Sequence, residues 1–534
     1  MADIGADYEL KIDFGRDETF AHELADVSSL WLGLQWQVGM QESYQEMAPP
    51  SRLAFELRDD TGALQPDNTG SPYYGLLKRG VLVRLRASYA LTLYTLWIGK
   101  IASVTPSVTK FGTRTVRVLC DDPMLALQDT EFTPELMQDV TVDTAISPIF
   151  DEGLVPYPYA HRYWLMGVVG SSEMGSTTRL YQNNVTSFDS GNQTFNYTGD
   201  IDDSQTGQSG YSFIQRYVAA EPGRFFYDGR TGKFTFHSRH RDVNNLTSLI
   251  TLTAADMPQD RLPEMNYGGD VVNAVTLNYI PREVGSVGTV IYSASNLPIT
   301  VRAQDSSVFT ARYHDTTEKR SRVGAINVYP MAKNTDYVAT FTDDNSDATG
   351  SINAVATAGG TSAEISLVNN TKREMSVTTL QLRGTPIITR EQATIDQVDT
   401  ASIYDYGRIE LPLNIPALDN EDDARQYAGY TLGVFKRAVT RIPTVTIYAN
   451  KREDTMIGAL SYTVGDRITV QDEWTLHDKD YFIVGEQHVV QPSGAPGEHL
   501  HMVTWVLKPA ERQKFWLLGV TNYGELDFNT NLAY

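Results

Sequence analysis

The stretch LWLGLQWQVGM, residues 30–40, sets the fold class. Leu30, Leu32, Leu34, Trp36, Val38 and Met40 alternate with Trp31, Gly33, Gln35, Gln37 and Gly39. A period of two sends every second side chain to one face, the pattern of a half-buried antiparallel strand. The pattern recurs on both sides of it. Tyr8, Leu10, Ile12 and Phe14 alternate with Glu9, Lys11 and Asp13. Leu53, Phe55 and Leu57 oppose Arg52, Glu56 and Arg58, and Val81, Val83 and Leu85 oppose Arg84 and Arg86. Val116, Val118 and Cys120 close the series, while DDTG (59–62) and PDNTGSP (66–72) supply turn chemistry between strands. Residues 1–125 therefore read as one β-barrel or sandwich domain, with a short helix near 18–29.

The rest of the chain is mixed. Residues 126–265 read as an α+β domain. Ser209 caps a helix whose stripe is Phe213, Ile214, Tyr217 and Val218, and Pro222-Gly223 stops it. FFYDGRTGKFTF (225–236) reads as a hairpin with Asp228-Gly229 in its turn. The Ser-, Thr-, Asn- and Gly-rich stretch 170–208 reads as loops or short exposed strands. Residues 266–394 read as a β-rich domain with a small β-sandwich insert near 335–385. Residues 395–534 open with a helix over 420–439, with Glu421, Asp422 and Asp423 where the helix dipole favours anions. Its buried stripe is Ala424, Tyr427, Ala428, Leu432, Phe435 and Ala438. Strands follow at 443–449, 467–470, 481–490 and 500–507. The fold class is mainly β with minor α: two barrel or sandwich domains flanking an α+β middle and the small insert.

Composition narrows the function. A chain of 534 residues with 41% hydrophobic and 21% charged residues has the balance of a globular protein, not of a disordered or fibrous one. Its 66 acidic residues against 44 basic give a net charge of -22, which disfavours tight binding to nucleic acid or an anionic membrane. One cysteine, Cys120, excludes an intrachain disulfide framework. The start MADIGADYELKIDF lacks a secretion-signal pattern, and the apolar stretch 89–98 is too short to span a bilayer, so no membrane anchor is expected.

Catalytic signatures are missing. GRTGK (229–233) fails the P-loop spacing and reads as a hairpin turn. The doublets Asp59-Asp60, Asp121-Asp122, Asp202-Asp203 and Asp343-Asp344 read as turns, since adjacent acids on a strand face opposite ways. Asp343, Asn345 and Asp347 have the spacing of a calcium loop, but Ala348 and Ala354 stand where it needs Gly and Glu. Cys120 reads as a buried small residue. Asn184, Asn196, Asn245 and Asn369 begin Asn-x-Thr triplets, read as chance without a secretion signal. His488, His499 and His501 are the metal candidates: on a hairpin of 481–490 with 499–508, the three imidazoles would share a face. The other reading is scattered polar strand residues. No catalytic residue and no cofactor is assigned.

These stretches resemble a family, the hub proteins at the tail tip or baseplate of tailed phages, prophages and related injection machines. APPSRLAFELRDDTGALQPDNTGSPYYGLLKRGVLVRLRA (48–87), with its Gly80-x-x-Val83-x-Leu85, and LWIGKIASVTP (96–106) are similar to the family's opening barrel. RFFYDGRTGKFTFHSR (224–239) resembles its middle domain. ELPLNIPALDNEDDARQYAGYTLGVFKR (410–437), LSYTVGDRITV (460–470), YFIVGEQHVV (481–490) and MVTWVLKPAERQKFWLLG (502–519) resemble its closing barrel. Each motif is degenerate; their order carries the resemblance. The insert 335–385 and the tail TNYGELDFNTNLAY (521–534) fall outside it.

The resemblance implies tube-like domains over about 1–125 and 395–520, and a non-enzymatic structural virion protein. It implies a homotrimeric hub joining tail tube to tip, with partners among tail-tube or distal tail, tape-measure, and tip or fibre proteins. The genome would pass through its channel without tight binding. Synthesis would be in the host cytoplasm and the final place the tail tip. Two rivals are a receptor- or glycan-binding tail adhesin, for which 29 Tyr and 7 Trp would supply stacking surfaces, and an extracellular glycoside hydrolase using a pair of acids.

Overall fold

The computed structural model describes residues 4–17, 19–108, 114–129, 131–132, 136–151, 185–198, 208–258, 264–314, 323–493 and 498–513. The protein is mainly β with minor α. Its frame is an 11-stranded sheet built from both ends of the chain. The N-terminal part supplies β1 (Asp7–Ile12), β2 (Trp31–Gly39), β3 (Arg52–Arg58), β4 (Leu82–Tyr89), β5 (Thr92–Val108) and β6 (Arg114–Asp121). A two-residue strand, β7 (Thr251–Leu252), comes from the middle. The C-terminal part supplies β8 (Thr444–Tyr448), β9 (Arg467–Asp472), β10 (His477–Pro492) and β11 (His499–Pro509).

The N-terminal strands run β1–β4–β5–β6–β3–β2, and β2 then pairs antiparallel with β10. Leu34 faces Val490 and Gly39 faces Gly485 across that ladder. β10 is long enough to hold β9 along Arg467–Asp472, β2 further on, and β11 along its other edge; β8 closes on β11. One hydrophobic core lies beneath. Trp36, Leu53, Val83, Trp97 and Val118 share it with Ile447, Ile468, Val503 and Trp505. Alternation explains this: the inward residues of each strand are the large apolar ones, and a sheet buries only one face.

Two local expectations fail. The alternation of β2 slips at a bulge between Trp31 and Gly33, which turns Trp31 inward and leaves Leu32 37% exposed. The segment 18–29 is not helical where described, but folded in turns. Asp17, Thr19 and Asp26 side chains accept from nearby backbone N–H groups, which competes with helix. The segment instead covers the edge of β1: Ile12 N–H donates to Ala25 and Val27 N–H to Leu10.

A second core joins the helix Gly210–Ala219, the hairpin Arg224–Asp228 with Lys233–His237, the strand Ala274–Tyr279 and the helix Glu421–Phe435. Ser209 caps the first helix by accepting from Ser212 N. Asn420 caps the last by accepting from Asp423 N at 2.8 Å. That helix ends at Phe435, with Ala438 beyond it. A third core lies between a six-stranded sheet built around Met375–Thr389 and a three-stranded sheet of Asp305–Arg312, Ser362–Asn369 and Ile352–Ala358. Most of the stretch 170–208, Asp202-Asp203, Asn184 and the tail 521–534 lie outside the described residues.

Candidate functional site

Where β2 meets β10, a chain of polar side chains runs through the first core. Tyr8 on β1 places its hydroxyl 2.8 Å from His501 Nδ1. His501 Nε2 lies 2.9 Å from His488 Nδ1. His488 Nε2 lies 3.2 Å from Glu486 Oε2, close but off the line of a well-aligned hydrogen bond. Glu486 receives both guanidinium nitrogens of Arg230, one at 2.9 Å. Trp36 stacks flat on His488, with ring centres 4.4 Å apart and planes 3° from parallel. Both imidazoles have no solvent exposure.

Each member comes from a different part of the sequence. Glu486 and His488 sit two apart on β10, so both face inward. His501 is inward on β11, opposite Val490 in the ladder and hence diagonal to His488. Arg230 comes from the turn of the hairpin Arg224–Asp228/Lys233–His237. Asp228 builds that turn: its carboxylate accepts from Arg230 N–H and the Thr231 hydroxyl, which aims Arg230 at the barrel.

A carboxylate can only accept, so Glu486 orders the protons. His488 then carries its proton on Nε2 and accepts at Nδ1. His501 donates from Nε2 and accepts at Nδ1, and Tyr8 donates. Charge follows the same logic. Burial alone would raise Glu486, but Arg230 and His488 outweigh it and hold the carboxyl at about 2. Burial drives His501 well below the usual imidazole range, and His488 and Arg230 push the same way. Burial lowers His488 too, with Glu486 pulling against it. Burial raises the Tyr8 hydroxyl. The chain is thus two neutral imidazoles between a phenol and a buried ion pair, closed to any substrate.

The structure brings His488 and His501 together and sets His499 apart. His499 packs on Trp31 at 4.6 Å between ring centres, half-buried, beside Tyr8. Zinc needs each imidazole nitrogen about 2.0–2.1 Å from the metal; here the facing nitrogens of His488 and His501 bond to each other. Among the described residues, no group of three or more His, Cys, Asp or Glu side chains is placed to hold a metal ion. Tyr8 and Trp36 are legible in the sequence only as inward strand residues, and Glu486 only through its parity with His488; Arg230 leaves no signal.

The acid doublets are structural where described. Asp59 is buried and accepts from Leu64 N, while Asp60 is exposed beside Arg58. Asp121 pairs with Arg52 at 3.0 Å. Buried Asp122 accepts from Ser51 N and Met124 N, yet burial outweighs these donors and raises it to about 7. Asp343 and Asp344 both bind Arg373, and Asp347 accepts from Thr349 N. Cys120 is fully buried, and burial raises its thiol. Among the described residues, no helix is long and apolar enough to cross a membrane.

No family model matches the sequence, and no curated protein matches it. Solved structures do. A 43 kDa tail protein of prophage MuSo2 from Shewanella oneidensis is 10% identical and superposes with a TM-score of 0.46, covering 95% of this chain and 99% of its own. A tail protein from Neisseria meningitidis MC58 is also 10% identical, with a TM-score of 0.44 over 94% of this chain and 97% of its own. Both of these neighbours are tail proteins. An Escherichia coli component of the type VI secretion system is 11% identical, with a TM-score of 0.36 over 94% of this chain and 76% of its own.

Proposed function

We propose that this chain is a structural hub of a phage-type tail, a homotrimer that joins the tail tube to the tip and lines part of the path of the genome. One observation carries the reading: the two ends of the chain form a single sheet over a single core through the β2–β10 ladder. Two barrel-like halves locked side by side give each chain two positions in a ring, so three chains present six, matching a sixfold tube above. The ordered hub-like motifs noted in the sequence lie largely on this frame. The buried Tyr8–His501–His488–Glu486–Arg230 chain supports a mechanical role. It ties the first strand, the C-terminal hairpin and the middle-domain turn into one unit, and it admits no substrate.

In this reading the chain has no catalytic activity. It meets tail-tube or distal tail proteins on one side and tape-measure, tip or fibre proteins on the other, and it works at the tail tip of the virion after synthesis in the host cytoplasm. The net charge of -22 suits a channel wall that does not hold DNA by counterion release. The test is the solution mass with electron-microscope class averages. A mass of three times the 59.5 kDa chain and a ring with a central opening support the reading. A single-chain mass at every concentration, or compact particles without an opening, overturns it.

A further inference from the structure

Away from the barrel core, the middle of the chain meets the C-terminal strands across a cleft of about 760 Å³. One wall is the hairpin Arg224–Asp228/Lys233–His237, with the strand Thr186–Phe188 paired beside it. The other is the turn Thr463–Asp466, which leads into β9. The short helix Arg239–Asn244 adds His240, Arg241 and Asn244. Two bonds hold the walls together. Asn245 Nδ2 donates to the Gly465 carbonyl at 2.9 Å, and Arg467 donates to the Asn245 carbonyl at 3.1 Å. Ligand sites favour such junctions between structural units.

Three polar atoms of this wall are buried and unbonded. His237 is 4% exposed, yet its Nδ1 meets no hydrogen-bonding group among the described residues. The same holds for His240 Nε2 and Thr463 Oγ1. Gly465 opens the space beside His237. A Cβ there would stand 3.1 Å from His237 Nδ1 and 3.7 Å from Arg241 Nε, and all three residues line the cleft. Burial, reinforced by Arg224 and Arg241, holds the His237 imidazole well below its usual range. It is therefore neutral, able to donate from one ring nitrogen and accept at the other. A buried polar atom left unbonded costs stability. Three in one wall call for a ligand that supplies the missing bonds.

The rest of the wall limits what that ligand is. Its carboxylates are already engaged. Asp189 accepts from Ser238 N and Arg241, Asp228 from Arg230 N and the Thr231 hydroxyl, and Asp466 from Thr463 N. Against these three acids stand Lys233 and Arg241, a balance that gives an anion no advantage. Among the described residues, no three metal-ligating side chains converge. The apolar side chains, Phe226 and Val464, are buried, so no apolar pocket receives a peptide side chain or a lipid. What the cleft offers is hydroxyl, amide and imidazole, as at Ser187, Ser190 and Asn244. We infer that the cleft between the Arg224–His237 hairpin and the Thr463–Asp466 turn binds a neutral oligosaccharide, a few sugar units long, through His237, His240 and Thr463. Sugar hydroxyls both donate and accept, which suits imidazoles and a hydroxyl that lack partners. The site is independent of the trimeric reading, and its test leaves the mass of the assembly unchanged.

Titration calorimetry of the full chain at neutral pH tests it. The probes are maltotriose, cellotriose and chitotriose, with sodium phosphate as the anion and triserine as the peptide. The expected result is a Kd of about 1 mM or tighter for at least one trisaccharide, and no heat from phosphate or triserine. His237→Phe removes Nδ1 and keeps a ring against Phe226, whose centre lies 5.1 Å from that of His237. Thr463→Val removes the unbonded hydroxyl and keeps the backbone bond to Asp466. Each is expected to weaken binding at least about tenfold. Because neither lost atom is bonded within the protein, both variants should melt at or above the wild-type temperature, which loss of a structural contact would not allow. Thr463→Val decides the matter if His237→Phe does not fold. Three results overturn the site: no trisaccharide bound at millimolar concentration, phosphate or triserine bound in its place, or affinity that the folded variants retain.

Discussion

His488 Nδ1 and His501 Nε2 lie 2.9 Å apart in a core with no solvent access, each imidazole neutral. The pair links the two strands of the C-terminal hairpin. Through Tyr8 it reaches the first strand of the chain, 493 residues away from His501 in sequence. Through Glu486 it reaches Arg230 in the middle.

Tyr8→Phe removes one hydroxyl and leaves His501 Nδ1 buried without a donor. The expected loss is about 1–3 kcal/mol, the cost of an unmet buried polar atom. Urea unfolding reads it. Tyr74→Phe, at a ring 52% exposed, is expected to change stability by less than about 0.5 kcal/mol. Equal effects of the two would show that the Tyr8 hydroxyl contributes nothing special.

The chain also sets a pH dependence. Burial holds both imidazoles below their ordinary value of 6.5, so the unfolded protein takes up protons before the folded one does. Their contribution is complete above pH 6.5 and is lost as pH falls below it. Glu486 acts in a lower window: its ordinary value is 4.5 and its folded value about 2, so its contribution is lost between these as pH falls. Unfolding free energy measured from pH 8 to 5 should decline below 6.5 in wild type. In His501→Gln the plateau should be lower and the decline shallower. A wild-type curve flat to pH 5 would contradict the neutral assignment.

Arg230→Met strands Glu486, whose side chain has no exposure, as an uncompensated buried charge. The expected cost is about 3–5 kcal/mol. The double variant Arg230→Met/Glu486→Gln should recover much of that loss, because no charge is left unpaired. A double-mutant cycle measures the coupling; additive losses would show that the two groups do not depend on each other.

Gly485→Ala probes the seam itself. A Cβ there would stand 1.8 Å from the carbonyl oxygen of Met40, which is backbone and cannot swing aside. The β2–β10 ladder must open, at a cost of about 3 kcal/mol or more. Gly350→Ala, with nothing within 4 Å, should be near neutral. Thermal unfolding of the two separates them, and a Gly485→Ala protein that melts with wild type would mean the seam is loose.

How much of this was legible follows from the range of each interaction. The helix Glu421–Phe435 was readable because its acidic first turn and its apolar stripe lie within one segment. The hairpin around Asp228 was readable because a turn is local chemistry. The alternation of β2 was readable except at its bulge, where one extra residue reverses the faces. The segment 18–29 misled because residues able to support a helix are held by side-chain bonds and by the edge of β1. At the site, the sequence pointed to His488 and His501 through strand parity. It could not show Tyr8 or Arg230, since both arrive from strands and turns hundreds of residues away. Nor could it show that β2 joins β10, since pairing between distant strands leaves no periodic trace.

Electron microscopy of intact particles labelled with gold-conjugated antibody against this chain tests the hub reading most directly. The account expects gold at the tail end farthest from the head, with threefold density in averages of that region. Label spread along the tail, on the head, or absent from assembled particles would contradict it.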